Sequence, residues 1–206
     1  MAAATHNGER RDIVALAASL GGFEALRKLL AALPSDFPGS ILAVLHRSPF
    51  VETKLADLIK RRTDLDVVDA QQGDEIEPGR VYIAPRDHHM IVGDDRLWLN
   101  RGPKQHHTRP AADPLFLSAA QAYGRRVVGV VLTGYGADGV EGLVAIKSEG
   151  GVAIVQDPEE APAPSMPRKA IIADDVDFVL RLSAIPTTLI ALANGKAIAD
   201  AETAGR

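Results

Sequence analysis

"DIVALAASLGGFEALRKLLAALP", residues 12–34, joins a predicted strand to a predicted helix through one short turn. Residues 12–19 are almost continuously apolar, which is typical of a strand buried on both faces of a parallel sheet. From Phe23 onward, apolar residues recur at the three- and four-residue spacing of a helix, which a proline then ends. Gly21 and Gly22 open that helix. The stretch therefore predicts a strand–turn–helix unit of an α/β domain.

The same alternation of strands and helices continues along the rest of the chain. The predicted elements are strands over 40–46, 80–85, 88–93, 96–100, 126–134, 151–157 and 176–180, and helices over 51–61, 113–123, 140–150 and 183–194. A turn containing Asp94 and Asp95 separates the strands over 88–93 and 96–100, which predicts a hairpin. This alternation predicts one α/β domain with a mostly parallel sheet.

Composition excludes several classes of protein. The chain has 206 residues and is 46% hydrophobic, which is enough for one large core. Its net charge of -4, with Lys and Arg spread along the chain, argues against a nucleic-acid binder, which needs a basic stripe. There is no cysteine, so disulfides, thiolate metal sites and a cysteine nucleophile are excluded. No signal peptide occurs and no apolar run approaches the ~18 residues that span a bilayer, so we expect a cytoplasmic protein without membrane insertion.

Three chemically complementary side chains lie at the carboxyl ends of predicted strands. Ser19 ends the first strand, His46 ends the second, and Asp138 follows the strand over 126–134. Because ligands and reactions collect at this edge of a parallel sheet, we expect the three side chains to meet there. Their roles would be those of a serine hydrolase: Ser19 attacks a carbonyl, His46 transfers the proton, and Asp138 orients the imidazole.

Each of these residues also has a purely structural interpretation. Serine is a common helix N-cap, so Ser19 taken alone predicts a cap better than a nucleophile. His46 alone predicts a histidine hydrogen-bonded in a loop, and Asp138 alone predicts an acid at a helix start, where the helix dipole favours it. The catalytic prediction depends on the coincidence of all three at one edge of the sheet.

"GYGADG", residues 134–139, suggests a different function, dinucleotide binding. The motif fits G-x-G-x-x-G between a strand and a helix, and Asp157 follows at the distance of a ribose-binding acid. Asp138 weakens this interpretation, because its carboxylate would oppose the pyrophosphate that a helix N-terminus binds. The motif also lies late in the chain, whereas the two-halved dinucleotide fold usually begins with it. Dinucleotide binding therefore remains the weaker alternative.

Two adjacent histidine pairs suggest a metal site, together with a further histidine and an aspartate: His88-His89, His106-His107, His46 and Asp87. Adjacent side chains of a strand point to opposite faces, so each pair easily offers only one ligand. No spaced metal-binding signature such as H-E-x-x-H occurs. The sequence therefore predicts neither a metal nor a cofactor.

Several motifs occur together in the order and spacing typical of one enzyme family. They are "ASLGG" (18–22), "VLHRSP" (44–49), "VYIAPRDHHM" (81–90), "RPAADPLF" (109–116), "VVLTGYGADGVEG" (130–142) and "VQDPEEAPAPSMPRKAI" (155–171). Over 12–194 the chain resembles the catalytic domain of CheB, the chemotaxis protein-glutamate methylesterases. The resemblance implies a Rossmann-like, doubly wound, largely parallel sheet with helices on both faces and a β-hairpin insertion.

The resemblance also implies an activity and its residues. The reaction is hydrolysis of methyl esters on glutamate side chains of chemoreceptor cytoplasmic helices, releasing methanol, and often deamidation of receptor glutamines. Ser19 would be the nucleophile, His46 the general base and acid, and Asp138 the orienting carboxylate. Backbone N–H groups of Leu20 and Tyr135 would bind the oxyanion. Four glycines would let the backbone turn sharply and approach the substrate closely: Gly21, Gly22, Gly134 and Gly136.

Two departures from the family pattern concern specificity and control. Leu20 stands where the family usually has threonine and Tyr135 where it usually has methionine, which alters the shape of the cleft. No receiver domain precedes the motifs, so we expect a stand-alone domain over 12–194 with loose tails over 1–11 and 195–206. Such a domain is ungated or controlled by a separate receiver or regulatory protein. The alternative is a non-catalytic regulatory or scaffold module on the same fold.

Overall fold

A seven-stranded parallel sheet forms the centre of the computed structural model, which describes residues 8–47, 54–173, 176–196 and 198. Within these residues the strands are β1 (Ile13–Ala18), β2 (Ser40–Leu45), β3 (Asp66–Asp69), β4 (Arg80–Ile83), β5 (His89–Gly93), β6 (Arg96–Asn100), β7 (Val127–Val131), β8 (Val152–Gln156) and β9 (Phe178–Leu180). The α-helices are α1 (Gly22–Ala31), α2 (Leu55–Lys60), α3 (Ala112–Tyr123), α4 (Val140–Ser148), α5 (Ser165–Ala173) and α6 (Ile185–Ala193).

The strand order places the three strands of the predicted site side by side. The order is β3-β4-β2-β1-β7-β8-β9, and every neighbouring pair in this sheet is parallel. The chain first builds the sheet outward from β1 through β2, and later continues on the other side of β1 with β7. Such a reversal opens a crevice at the carboxyl ends of the central strands. The predicted doubly wound α/β fold is confirmed, and the sheet itself is parallel throughout.

Helices cover both faces of the sheet, and the sequence of β1 explains why. Alternate side chains of a strand point to opposite faces. Val14 and Leu16 accordingly belong to the core formed with α1, α2 and α6, whereas Ile13 and Ala15 belong to the core formed with α3, α4 and α5. All six residues of β1 are buried, so the strand must be apolar on both faces.

The predicted hairpin is confirmed as β5 and β6, which pair antiparallel from His89↔Asn100 to Gly93↔Arg96. Asp94 and Asp95 form its turn with φ values of 52° and 58°, in the left-handed region that aspartate tolerates better than most residues. The hairpin packs on α3, and the Val92 N–H donates to the Ser118 hydroxyl of that helix. It lies outside the central sheet.

The sequence pattern does not predict two elements, β3 and α5. β3 is a four-residue edge strand that begins and ends with aspartate. α5 contains Pro167 in its first turn, where a missing N–H is tolerated. The helix predicted over 51–61 is observed as α2, while 51–53 lie outside the described residues.

The predicted tails over 1–11 and 195–206 fall largely outside the described residues. Within the described part of the first tail, Arg11 is buried and its guanidinium donates to the carbonyls of Arg125 and Gly150. Of the helices in the described parts of the chain, none combines the length and apolar character that a membrane crossing requires.

Candidate active site

Ser19 lies in the tight turn between β1 and α1. Its N–H donates to the Thr133 carbonyl over 3.0 Å, and its own carbonyl accepts from the Gly22 N–H over 2.8 Å. The N-cap of α1 is Gly21, in a left-handed conformation with φ 77°, and no side chain caps the helix. The interpretation of Ser19 as a helix cap is therefore wrong. The serine is held by its backbone, while its half-buried side chain lines a cleft.

His46 is brought to the same cleft by the pairing of β1 with β2. Its backbone N–H donates to the carbonyl of Ala18, the residue before Ser19, over 2.9 Å. The imidazole is 10% exposed, and its Nε2 lies 2.5 Å from Oδ2 of Asp138. The loop after β7 therefore supplies the carboxylate, β2 the histidine and β1 the serine, as the strand-end pattern predicts.

Asp138 is almost fully buried and is held by three donors. Besides His46, the backbone N–H groups of Ala112 and Asp113 at the start of α3 donate to its carboxylate, over 2.6 and 3.1 Å. Burial by itself raises the pKa of Asp138, but the hydrogen bond and charge of His46, together with these two N–H groups, outweigh it and leave the pKa below its ordinary value. The carboxylate is consequently ionised when it faces the imidazole.

The cleft shared by Ser19 and His46 has a volume of about 530 Å³. Its walls come from the Ser19 turn, α1, the end of β2 and α2. They are formed by Ser19, Leu20, Gly21, Phe23, Glu24, Leu45, His46, Arg47, Leu55 and Leu58. Leu20 is 56% exposed and Tyr135, across the Ser19 turn on the β7 loop, is 63% exposed. The two residues that depart from the family pattern are thus both accessible to a substrate.

Backbone amides near Ser19 divide into those already bonded and those that are available. The Gly22 and Gly134 N–H groups donate to the carbonyls of Ser19 and Ala163. Among the hydrogen bonds of the described residues, none uses the N–H of Leu20 or of Tyr135. These two N–H groups are therefore available for the predicted role of oxyanion donors, whereas those of Gly22 and Gly134 are held by backbone carbonyls.

Gly134 packs directly against the serine. A methyl group on Gly134 would lie 2.7 Å from Cβ of Ser19 and 2.2 Å from Sδ of Met166. Gly136, in contrast, has a left-handed φ of 99° and open space around it. Gly134 is therefore required by close packing and Gly136 by backbone conformation.

Thr133 ties the Ser19 turn to the loop before α5, and no pattern in the sequence singles it out. Its hydroxyl donates to the Leu20 carbonyl over 3.0 Å and accepts from the Ala163 N–H over 2.9 Å. Its N–H donates to the buried Gln156 side chain. One threonine thus fixes the Ser19 turn relative to the loop before α5.

A second histidine–aspartate pair supports the loop beside His46. His106 and His107 occupy a tight turn with φ values of 48° and 64°, closed by hydrogen bonds between the backbones of Gln105 and Thr108. His106 Nε2 lies 2.8 Å from the buried carboxylate of Asp113. The turn brings the Thr108 hydroxyl to 3.5 Å from Nε2 of His46.

The other ligand candidates have structural partners. His89 is buried between the Pro103 carbonyl and the Ala111 N–H, and Nδ1 of His88 lies 3.0 Å from the Arg86 carbonyl. One ligand atom each from His106, Asp113 and Asp138 lies within 4.8 Å of the others. The ligand candidates named from the sequence include His106 but neither of these two aspartates. These three side chains already hydrogen-bond to protein donors or to one another.

Similarity to known proteins agrees with this geometry. Residues 14–189 match the family model described as CheB methylesterase. The chain belongs to the CheB methylesterase family. In three dimensions it resembles the crystal structure of the Thermotoga maritima CheB methylesterase catalytic domain, with a TM-score of 0.83, 34% identity, and coverage of 89% of this chain and 99% of that one. The dinucleotide interpretation of "GYGADG" is correspondingly disfavoured.

Curated relatives carry the name protein-glutamate methylesterase/protein-glutamine glutaminase. One from Pyrococcus horikoshii is 43% identical over 184 residues, which are 87% of this chain and 50% of that protein. One from Anaeromyxobacter dehalogenans, whose name ends in the number 2, is 41% identical over 91% of this chain and 55% of that protein. The chain thus spans about half the length of these two CheB relatives. A Leptospira interrogans relative, 34% identical, matches over 94% of its own length.

Proposed function

We propose that the protein is a serine hydrolase that removes methyl groups from glutamate methyl esters of chemoreceptors and the amide nitrogen from receptor glutamines. The observation that carries the proposal is the 2.5 Å contact of the buried Asp138 carboxylate with His46, whose imidazole lines the same cleft as Ser19. The names of the CheB relatives point to the same two reactions.

The first half of the proposed reaction forms an acyl-enzyme. Because Asp138 is ionised and faces Nε2 of His46, that nitrogen carries the proton and Nδ1 is the acceptor for the Ser19 proton. The Ser19 oxygen attacks the ester carbonyl, and the N–H groups of Leu20 and Tyr135 stabilise the oxyanion. When the intermediate collapses, the C–O bond to the methoxy group breaks and His46 returns the proton, releasing methanol.

The second half regenerates the serine. A water molecule gives its proton to His46 and attacks the acyl carbonyl, after which Ser19 leaves with that proton and glutamate is released. With a glutamine side chain the same steps release ammonia in place of methanol. Asp138 stabilises the imidazolium that forms in both halves, because it is a buried anion in direct contact with the ring.

Methanol release from a methylated receptor fragment tests this proposal. The wild-type protein should release methanol. His46→Ala should lose this activity, and its circular dichroism spectrum should match that of the wild type. Thr187→Ala, a substitution of an exposed residue on α6, is the matched control and should behave like wild type. Absence of methanol release from the wild-type protein, with the receptor fragment bound, would support the non-catalytic scaffold instead.

A further inference from the structure

The walls of the catalytic cleft surround the leaving group of the proposed reaction. The ester carbon must lie at Ser19, with its oxygen toward the N–H groups of Leu20 and Tyr135. The leaving group must lie toward His46, because that imidazole returns the proton. Ser19 and His46 line one cleft of about 530 Å³, so the leaving group is held between them in this cleft. The side chains of the cleft therefore determine which leaving groups fit.

Most side chains of the cleft are apolar. Leu20 and Leu58 line it and are 56% and 46% exposed. Phe23, Leu45 and Leu55 complete the apolar wall. Contact with such a wall removes apolar surface of a methyl group from water, which stabilises a bound methyl ester. A polar leaving group gains nothing from the same contact.

The backbone carbonyls around Ser19 already accept hydrogen bonds. Each of the four carbonyls of the turn from β1 into α1 has a donor within the protein: Ala18 from His46, Ser19 from Gly22, Leu20 from Thr133 and Gly21 from Ala25. The Thr133 hydroxyl is occupied as well, because it donates to Leu20 and accepts from the Ala163 N–H. The turn that carries the nucleophile thus offers a substrate only acceptors that are already paired.

The polar side chains of the cleft do not supply a free acceptor either. Arg47, next to His46, has only N–H groups, one of which donates to the Ala84 carbonyl over 2.9 Å. Of the described residues that line the cleft, Glu24 has the one carboxylate, and its Oε2 accepts two hydrogen bonds from Arg27, over 2.7 and 3.1 Å. An amide NH₂ beside His46 would therefore meet apolar groups, a cation and acceptors that are already paired.

We propose that Leu20 makes the cleft select methyl esters over primary amides. The ester places a methoxy group against the apolar wall, whereas the amide places two N–H donors there without a free acceptor, and buried donors without partners are strongly disfavoured. This inference rests on the proposed function and adds to it a preference between its two reactions.

Leu20 is the residue of the wall with the most influence on the leaving group. It follows the nucleophile directly, and it is the most exposed of the apolar side chains that line the cleft. Its carbonyl is held by the Thr133 hydroxyl, so its position relative to Ser19 is fixed. A hydroxyl group at position 20 would supply the acceptor that the cleft lacks.

Two peptides that differ at one side chain test the proposal. One carries a single glutamate methyl ester, and the other has glutamine at the same position. Methanol and ammonia release give kcat/KM for each peptide, and the amide-to-ester ratio of the two values is compared between variants. Leu20→Thr adds the hydroxyl, and Leu20→Val is the matched control, because valine has nearly the volume of threonine without the hydroxyl. Both variants keep the N–H group of residue 20.

The amide-to-ester ratio should be about tenfold higher in Leu20→Thr than in Leu20→Val, because the threonine hydroxyl accepts from the amide NH₂. Leu20→Val should keep the wild-type ratio. Equal ratios in Leu20→Thr and Leu20→Val would overturn the proposal. A lower ratio in Glu24→Ala than in the wild type would overturn it too, since Glu24 would then already supply an acceptor.

Product release separates this proposal from the proposed function. A wild-type protein that releases neither methanol nor ammonia would reject the hydrolase function, and the preference with it. A protein that releases methanol, with equal amide-to-ester ratios in Leu20→Thr and Leu20→Val, would remain a hydrolase and would reject only the role of Leu20.

Discussion

Replacing Asp138 by asparagine removes one acceptor oxygen and one charge from the centre of the site. In the native protein, Oδ2 accepts from His46 and from the Ala112 N–H, while Oδ1 accepts from the Asp113 N–H. An asparagine amide has a single oxygen, and its NH₂ group can only donate. Because the side chain is 1% exposed, water cannot supply the missing acceptor.

The asparagine has two orientations, and each has a cost. With its NH₂ group toward His46, the imidazole must present a lone pair at Nε2, which moves the proton to Nδ1 and removes the base. With its NH₂ group toward Asp113, that backbone N–H faces another donor, and the imidazolium that forms during the reaction has no counter-charge. A buried N–H without a partner costs about 1–3 kcal/mol of folding stability.

We therefore expect Asp138→Asn to lower the free energy of unfolding by about 1–3 kcal/mol and to lower kcat by about 10³–10⁴-fold. The activity loss corresponds to about 4–5 kcal/mol in the barrier. Folding lowers the pKa of Asp138 below its ordinary value of 3.8, so its contribution to stability is complete above that pH and is lost as the pH falls through the lower pKa. The variant should lack this part of the acid transition.

Urea unfolding and methanol release measure the two effects. Asp113→Asn is the matched control, since it neutralises a neighbouring aspartate that is equally buried but does not contact His46. The control should keep kcat within about tenfold of wild type, because it leaves the His46–Asp138 pair intact. The His46–Asp138 pair is not required for activity if Asp138→Asn retains kcat within tenfold of wild type, and its role is not specific if Asp113→Asn loses as much.

Substitutions at three residues, Gly134, Thr133 and Asp113, test the surroundings of the site. Gly134→Ala should cost about 1–3 kcal/mol of stability and most of the activity, because its methyl group collides with Met166 and with Ser19. Thr133→Val should cost about 1–3 kcal/mol by leaving the Ala163 N–H without an acceptor, whereas Thr133→Ser should be close to wild type. Burial raises the pKa of Asp113 above 3.8, so wild-type stability should fall as the pH rises above that value, and Asp113→Asn should flatten this dependence.

Unfolding titrations, with methanol release for Gly134→Ala, measure these effects. A fully active and stable Gly134→Ala protein would show that the serine is not confined by that glycine. Equal unfolding free energies for Thr133→Val and Thr133→Ser would show that the Thr133 hydroxyl does not stabilise the fold. An unchanged slope of stability against pH in Asp113→Asn would mean that another group causes it.

Elements with strong periodicity could be predicted from the sequence, and weakly patterned ones could not. β1 is buried on both faces and is therefore continuously apolar, while α1 has a regular apolar face. β3 has only four residues and is an edge strand, so it is only partly buried and has no continuous apolar pattern. α5 follows a proline-rich loop and includes a proline itself, so its helical pattern is hidden.

Side chains of the candidate site were more predictable than their supports. Ser19, His46 and Asp138 follow central strands, and parallel pairing brings such positions together. The amides that hold Asp138 belong to the start of α3 and carry no side-chain signal. Thr133 hydrogen-bonds to Leu20 across 113 residues of sequence, and Met166, still further along the chain, lies against Gly134 beside Ser19. No local sequence pattern records such contacts.

Trapping a covalent intermediate on Ser19 tests whether the protein is a serine hydrolase. A glutamate methyl ester peptide is mixed with the wild-type protein, the reaction is quenched with acid within one turnover, and the digest is analysed by mass spectrometry. We expect an adduct on Ser19 equal to the peptide minus one methanol, and none in Ser19→Ala or His46→Ala. Methanol release without an adduct on Ser19, or release that continues in Ser19→Ala, would rule out Ser19 as the nucleophile.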